Sequence, residues 1–174
     1  MKFGIFITGL FINLVMGNLA HAAQDYVLGA GDKVEIKVFG QPDLEVTALL
    51  GNSGEVSYPF LGKIKLAGLS TTQVENLITQ GLKPDYLVNP NVYVQVTEYR
   101  PFYIHGEVKN PGAYPYQPAM TVNQAVALAG GLTERASLDK IYIFKEQTKQ
   151  QQQKGSLNSQ IAAGDTIKIE QRLF

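Results

Sequence analysis

One short device, used twice, constrains this chain more than anything else in it. Leu28-Gly29-Ala30-Gly31-Asp32 leads into Val34, Ile36 and Val38, which alternate with charged residues. Near the other end, Ile161-Ala162-Ala163-Gly164-Asp165 leads into Ile167 and Ile169 with the same alternation. A Gly-Asp turn followed by apolar positions two apart predicts a half-buried strand. Asp at a strand entrance bonds nearby backbone amides, so Asp32 and Asp165 are read as local caps. The copies lie about 130 residues apart and nothing between them repeats, which excludes a solenoid and leaves two similar modules open.

The residues between the two copies supply the rest of two α+β units. Residues 46–50 and 55–60 flank Gly51-Asn52-Ser53-Gly54, a hairpin signal, and residues 61–66 add another short strand. Ser70 or Thr71 caps a helix carrying Val74, Leu77, Ile78 and Leu82 on one face, and Pro84 stops it. Residues 91–97 alternate Val92, Val94 and Val96 with polar positions and close the first unit, with a boundary near Pro101. Phe102, Ile104, Gly106 and Val108 then alternate into Asn110-Pro111-Gly112, where Pro fixes one turn dihedral and Gly supplies a positive φ. A strand over 113–116 follows. Thr121 caps a helix whose apolar stripe is Val122, Ala125, Val126, Leu128 and Ala129, ended by Gly130-Gly131. A strand around Ile141, Ile143 and Phe144 precedes a polar tract, 146–158, read by composition as a mobile loop.

Composition removes whole classes of function. In 174 residues, 45% hydrophobic content suffices for a real core. Lys plus Arg and Asp plus Glu both number 15, so the basic footprint that nucleic-acid binding needs is missing. No Cys is present, which excludes disulfides, thiolate chemistry and zinc-thiolate sites. Lys2, the apolar run 3–15 and Ala20-His21-Ala22 predict a cleaved signal peptide over residues 1–22 and an exported chain without a lipid on cysteine.

Chemistry is equally sparse. His105 has no second histidine in the mature chain to share a metal with. Gly51-Asn52-Ser53-Gly54 is a turn, since a nucleophilic serine requires a positioned base. Nothing places Glu35, Asp43, Glu55, Glu107 or Glu134 as a glycosidase pair, and no phosphate-cradling glycine motif occurs. Tyr99, Tyr103, Tyr114 and Tyr116 surround the second unit's first hairpin and are the candidate glycan or subunit contacts; Tyr is also simply a good strand residue. No catalytic residue, metal or cofactor is expected.

With these residues in view, LGAGDKVEIKVFGQPDL, GEVSYPFLGKIKLAGLS and PNVYVQVTEYR resemble the polysaccharide export domain of bacterial outer-membrane polysaccharide export proteins. IHGEVKNPGAYPY, MTVNQAVALAGGLTERAS and AAGDTIKIEQRLF are similar to the SLBB β-grasp domain that follows it in that family. The resemblance implies an export domain over 25–100, an SLBB domain over 101–174, and a noncatalytic homo-oligomeric ring conducting capsular polysaccharide or exopolysaccharide to the surface. It also implies an inner-membrane polysaccharide copolymerase as partner and a periplasmic location at the outer membrane. Larger members carry a lipobox cysteine and a C-terminal membrane helix. This chain has no Cys and ends at Arg172-Leu173-Phe174, so the membrane-crossing step is expected of a separate outer-membrane β-barrel. The competing expectation is a monomeric periplasmic module that binds a glycan or small ligand.

Under either expectation the motif residues define turns and caps. In the first unit these are Gly29, Gly31, Asp32, Pro42, Pro59, Gly62 and Gly68. In the second they are Gly106, Pro111, Gly112, Gly130, Gly131, Gly164 and Asp165.

Overall fold

The computed structural model describes residues 26–146 and 152–172. The expected signal peptide, residues 1–22, and the terminal Phe174 lie outside the described residues.

Strand β1 (Lys33–Val38) is the centre of a three-stranded antiparallel sheet, ordered β2-β1-β5 with β2 (Val46–Leu49) and β5 (Val92–Glu98). Its alternation sets the register: Val34 meets Ala48 and Val96, Ile36 meets Val46 and Val94, and Val38 meets Val92. Those residues form one apolar face, while Lys33, Glu35 and Lys37 stay on the other. Helix α1 (Thr71–Leu82) packs along β5 and buries Val74, Ile78 and Leu82, each four residues from the next. Leu77, expected on the same face, flanks this narrow stripe and is 40% exposed. The helix starts with a capping box: Ser70 Oγ accepts from Gln73 N, and the Gln73 side chain accepts from Ser70 N.

Gly51-Asn52-Ser53-Gly54 does form a tight turn, with Gly54 N donating to the Gly51 carbonyl at 2.9 Å. It does not make the expected hairpin. Strand β2 pairs with β1, whereas β3 (Glu55–Tyr58) pairs with β4 (Gly62–Lys65) in a sheet of its own. The chain leaves the first sheet because the Gly54 carbonyl is taken by the amides of Leu66 and Ala67, a crossing so close that a Cβ on Gly54 would overlap Ala67. Pro42 opens a short 3₁₀ turn, Pro42–Leu44, between β1 and β2; Pro59 and Gly62 shape the β3–β4 connection, and Gly68 turns the chain towards α1.

The second unit places β6 (Phe102–Gly106), β7 (Gly112–Tyr114), β8 (Ala136–Phe144), β9 (Gln152–Gly155) and β10 (Thr166–Gln171) in one sheet, ordered β7-β6-β10-β8-β9. Its first and last strands, β6 and β10, run parallel at the centre and all other pairs are antiparallel, which is the β-grasp order. Helix α2 (Val122–Leu128) buries Val122, Ala125 and Val126. Thr121 and Gln124 give it the same capping box as α1. Gly130 and Gly131, both at positive φ, end it.

Four details differ from expectation. Leu128 is exposed, because Ala129 rather than Leu128 continues the buried stripe. Val108 is not in β6: Gly106, at φ 93°, ends the strand so tightly that a Cβ would overlap the Ile169 carbonyl, and Val108 makes an isolated bridge to Leu132. Gly112 is not at positive φ, since the wide connection from Gly106 to Pro111 absorbs the reversal, and β7 starts at Gly112 itself. Finally, Gln152–Gly155, expected in a mobile loop, is strand β9 paired with β8; a ladder on an exposed edge asks only for backbone groups. The neighbouring residues 147–151 lie outside the described residues.

The buried residues form two separate clusters. One runs from Leu28 to Val94, the other from Phe102 to Ile169.

Candidate functional site: an arginine between two turns

Arg100 stands between the two clusters and joins them. The construction begins at Gly31, whose φ of 96° turns the chain so that Asp32 folds back on Gly29. Gly29 N donates to Asp32 Oδ2 at 2.8 Å, as expected for a local cap. Asp32 also has partners far away in sequence. Arg100 N donates to Oδ1 at 2.8 Å, Arg100 Nη1 to Oδ2 at 2.6 Å, and the Tyr26 hydroxyl lies 2.7 and 2.8 Å from the two oxygens. The residue is wholly buried, so these donors replace the water that the carboxylate has lost.

The same guanidinium reaches the second unit. Arg100 Nε donates to Glu146 Oε2 at 2.7 Å, and Nη1 also donates to the Tyr26 hydroxyl at 2.8 Å. Its carbon lies 5.5 Å from the centre of the Tyr26 ring. Tyr26, Tyr99 and Tyr116 form an aromatic wall beside it, with ring centres 4.8 to 6.4 Å apart. Space for the arginine comes from glycine. A Cβ on Gly29 would stand 2.7 Å from Arg100 Cζ, one on Gly31 would stand 3.1 Å from Arg100 Cβ, and one on Gly164 would overlap Glu146 and stand 3.1 Å from Arg100 Nε. Each Gly-Asp turn therefore contributes a wall of the arginine's slot.

Asp165 repeats the local geometry with a different cation. Its Oδ2 accepts from Ala162 N and from Lys145 Nζ, both at 2.7 Å. Gly164 N donates to the Pro101 carbonyl, and Tyr103 N to the Asp165 carbonyl, so this turn holds the start of β6.

The electrostatics are those of a fixed joint. Burial, and then the hydrogen bond from its hydroxyl to Asp32, push Tyr26 well above the ordinary tyrosine range. Tyr99 is raised by burial and by Asp32, and Tyr116 chiefly by burial. For Arg100, burial opposes the charge, but Asp32, Tyr26 and Glu146 outweigh it and hold the guanidinium above its ordinary value. These groups keep one protonation state over the physiological range, and what they supply is orientation.

The four expected contact tyrosines do not form one cluster. Tyr99 and Tyr116 meet at the junction, Tyr114 stacks on Phe102 at 6.0 Å and donates to the Asn110 carbonyl, and Tyr103 is exposed on β6. His105 is exposed on the same strand. Among the described residues, no three His, Asp or Glu side chains are arranged to hold a metal. Tyr26, Arg100 and Glu146 were not singled out by their sequence context. The one signal for them is Gly29, which stands where the second turn has Ala162.

Two α+β units stand in series, joined by a buried arginine that bonds to both. Residues 20–97 match the family model described as polysaccharide biosynthesis/export protein, and residues 101–156 match the SLBB domain. The chain belongs to the polysaccharide export protein family, with the export domain followed by an SLBB domain. Over 124 residues it is 36% identical to the exopolysaccharide production protein ExoF of Rhizobium meliloti, covering 63% of this chain and 29% of that protein. Over 159 residues it is 30% identical to the polysialic acid transport protein KpsD of Escherichia coli, covering 85% of this chain and 28% of that one. The EPS I polysaccharide export outer membrane protein EpsA of Ralstonia nicotianae is 26% identical over 195 residues, covering 92% of this chain and 51% of its own length. The chain thus spans between about a quarter and a half of these relatives.

Proposed function

We propose that this chain is a noncatalytic subunit of a polysaccharide export machine, located in the periplasm at the outer membrane. The observation that carries this is the ordered pair of domains, export then SLBB, held in one orientation by Arg100. A conduit must keep its subunits' relative angles while polymer moves past, and a buried charge network with every bond directional serves that need better than a sliding apolar contact. In this reading the division falls at Arg100-Pro101, with residues 25–100 as the export domain and residues 101–174 as the SLBB domain. The subunits close into a homo-oligomeric ring. An inner-membrane copolymerase delivers the polymer, and a separate outer-membrane β-barrel completes the path. Turn and cap residues shape the scaffold, and tight sugar sites are disfavoured because they would halt a moving chain.

Deletion of the gene is expected to abolish surface polysaccharide while polymer accumulates inside the cell. Light scattering on the purified mature chain, alone and with the copolymerase's periplasmic domain, is expected to show a closed oligomer. Unchanged surface polysaccharide would sink the export reading, and a monomer under both conditions would sink the ring.

A further inference from the structure

The end of the first unit farthest from Arg100 carries an unusual surface. Strand β1 starts beside Asp32 at the junction and ends at Val38; β5 runs the other way, from Val92 to the junction. At the far end, Phe39 N donates to the Asn91 carbonyl, the Tyr58 hydroxyl donates to the Leu44 carbonyl, and Tyr86 follows the last turn of α1. The large exposed hydrophobic residues of this end include Phe39, just past the end of β1, and Tyr93, opposite Lys37 on β5, with Phe60 and Tyr86 as a separate pair. Phe60 and Tyr86 stack at 4.6 Å, and Phe60 is held at φ 63°, a conformation that non-glycine residues rarely adopt. Beside Phe39 and Tyr93 opens a cleft of about 390 Å³, which reaches between the 3₁₀ turn and the start of β5. That volume is in the range of small-ligand clefts.

We propose that this distal cleft is a glycan subsite, taking one or two uncharged sugar rings of the exported polymer; the inference rests on the export reading above. The chemistry of the lining chooses the ligand. Phe39 and Tyr93 offer apolar faces matched to the C–H side of a pyranose ring. Gln41 and Asn91 bring amides that both donate and accept, as sugar hydroxyls do. Lys37 and Glu45 add one charge of each sign, so the cleft holds no net attraction for an anionic polymer, and Lys37 is already paired with Glu35 at 3.1 Å. A lipid surface would want an excess of cations beside the aromatics, which this cleft lacks. The site is open and shallow in polar contacts, so binding is weak and reversible, as a moving polymer requires.

The test uses the full mature chain and a pool of oligosaccharides, four to six sugars long, cut from the producing strain's own surface polysaccharide. In a two-dimensional NMR titration, amide shifts are expected at Gly40, Gln41, Asn91 and Tyr93, saturating in the millimolar range. Phe39→Ala and Tyr93→Ala are each expected to weaken binding roughly tenfold, with thermal unfolding unchanged because both side chains are exposed. Shifts that miss these residues, or affinity that ignores both substitutions, would overturn the subsite. So would a change in oligomer mass on Phe39→Ala with glycan affinity unaltered, which would make the surface a contact between copies. A deletion strain separates the two failures. If deletion leaves surface polysaccharide intact, the export reading fails; if deletion removes it and the double variant restores it fully without measurable glycan binding, the subsite alone fails.

Discussion

Around Gly31-Asp32 and around Gly164-Asp165 the backbone does the same thing. In each turn a glycine at φ of 96° or 81° brings an Asp amide back to a carbonyl three residues earlier, at 3.2 Å, and the Asp side chain accepts from that earlier residue's amide. Each turn also fastens a neighbouring strand. The first exchanges two backbone bonds with Leu50, and the second is bonded to Pro101 and Tyr103. What differs is the cation. Asp32 holds Arg100, whose side chain is only 9% exposed, whereas Asp165 holds Lys145 at 29%. One local motif therefore serves two ends: the copy whose cation is buried joins the two domains, and the copy whose cation reaches solvent finishes a strand entrance.

The sharpest way to break this comparison is to remove the carboxylates. Asp32→Ala leaves a buried guanidinium with Glu146 as its one carboxylate and strands the amides of Gly29 and Arg100, so a loss of about 3–5 kcal/mol is expected. Asp165→Ala removes a buried carboxylate whose lysine can turn to water and strands the Ala162 amide, for about 1–3 kcal/mol. Urea unfolding with both domains monitored gives the two numbers, and equal losses would refute the distinction. Because Arg100 couples the two cores, Asp32→Ala is also expected to split a single transition into two.

Next in size is the exchange of Gly29 and Ala162, which hold the same place in the two turns. Gly29→Ala pushes a methyl against a guanidinium fixed by bonds on both sides, and overpacking of that kind costs about 1–3 kcal/mol. Ala162→Gly adds only backbone freedom to the unfolded chain, for about 0.4–1 kcal/mol. The same denaturant midpoints decide it; a milder effect at Gly29 would mean that the arginine slot can yield. Lys145→Ala leaves the buried Asp165 carboxylate with the Ala162 amide alone, for about 1–3 kcal/mol.

This pair of positions also marks how far the sequence can be read. The turns, both strands that follow them, both helix caps and the family's two domains are legible because each depends on residues within a few positions. Asp32 was legible only as a cap, since its other donors arrive from 6 and 68 residues away and no local rule connects them. For the same reason the 51–54 turn was visible and its strand pairing was not. The tyrosines failed differently: proximity in sequence put Tyr103 and Tyr114 with Tyr99 and Tyr116, but alternation along β6 and stacking on Phe102 send them elsewhere. The distal cleft assembles from the ends of β1 and β5 and a 3₁₀ turn; alternation puts Phe39 out of phase with Val34, Ile36 and Val38, but no local rule names Asn91 and Tyr93 as its neighbours.

The Asp32 turn also has its own response to pH. Tyr26 belongs to the Asp32 side alone, and burial together with Asp32 raises its pKa in the folded state above the unfolded value of about 10. The folded protein therefore keeps the Tyr26 proton where the unfolded chain has begun to lose it. Its contribution to stability is complete below about pH 10 and is lost as pH rises from there towards the folded value. Stability of the wild type should fall through this window, with Tyr99 and Tyr116 adding to the slope in the same sense. Tyr26→Phe cannot titrate, so its stability should fall less steeply above pH 10, by up to about one proton, although it starts lower for want of the bond to Asp32. Urea midpoints at half-unit steps from pH 9 to about 11.5 give the slopes, and parallel lines for wild type and Tyr26→Phe would show that the hydroxyl is not held by the buried carboxylate.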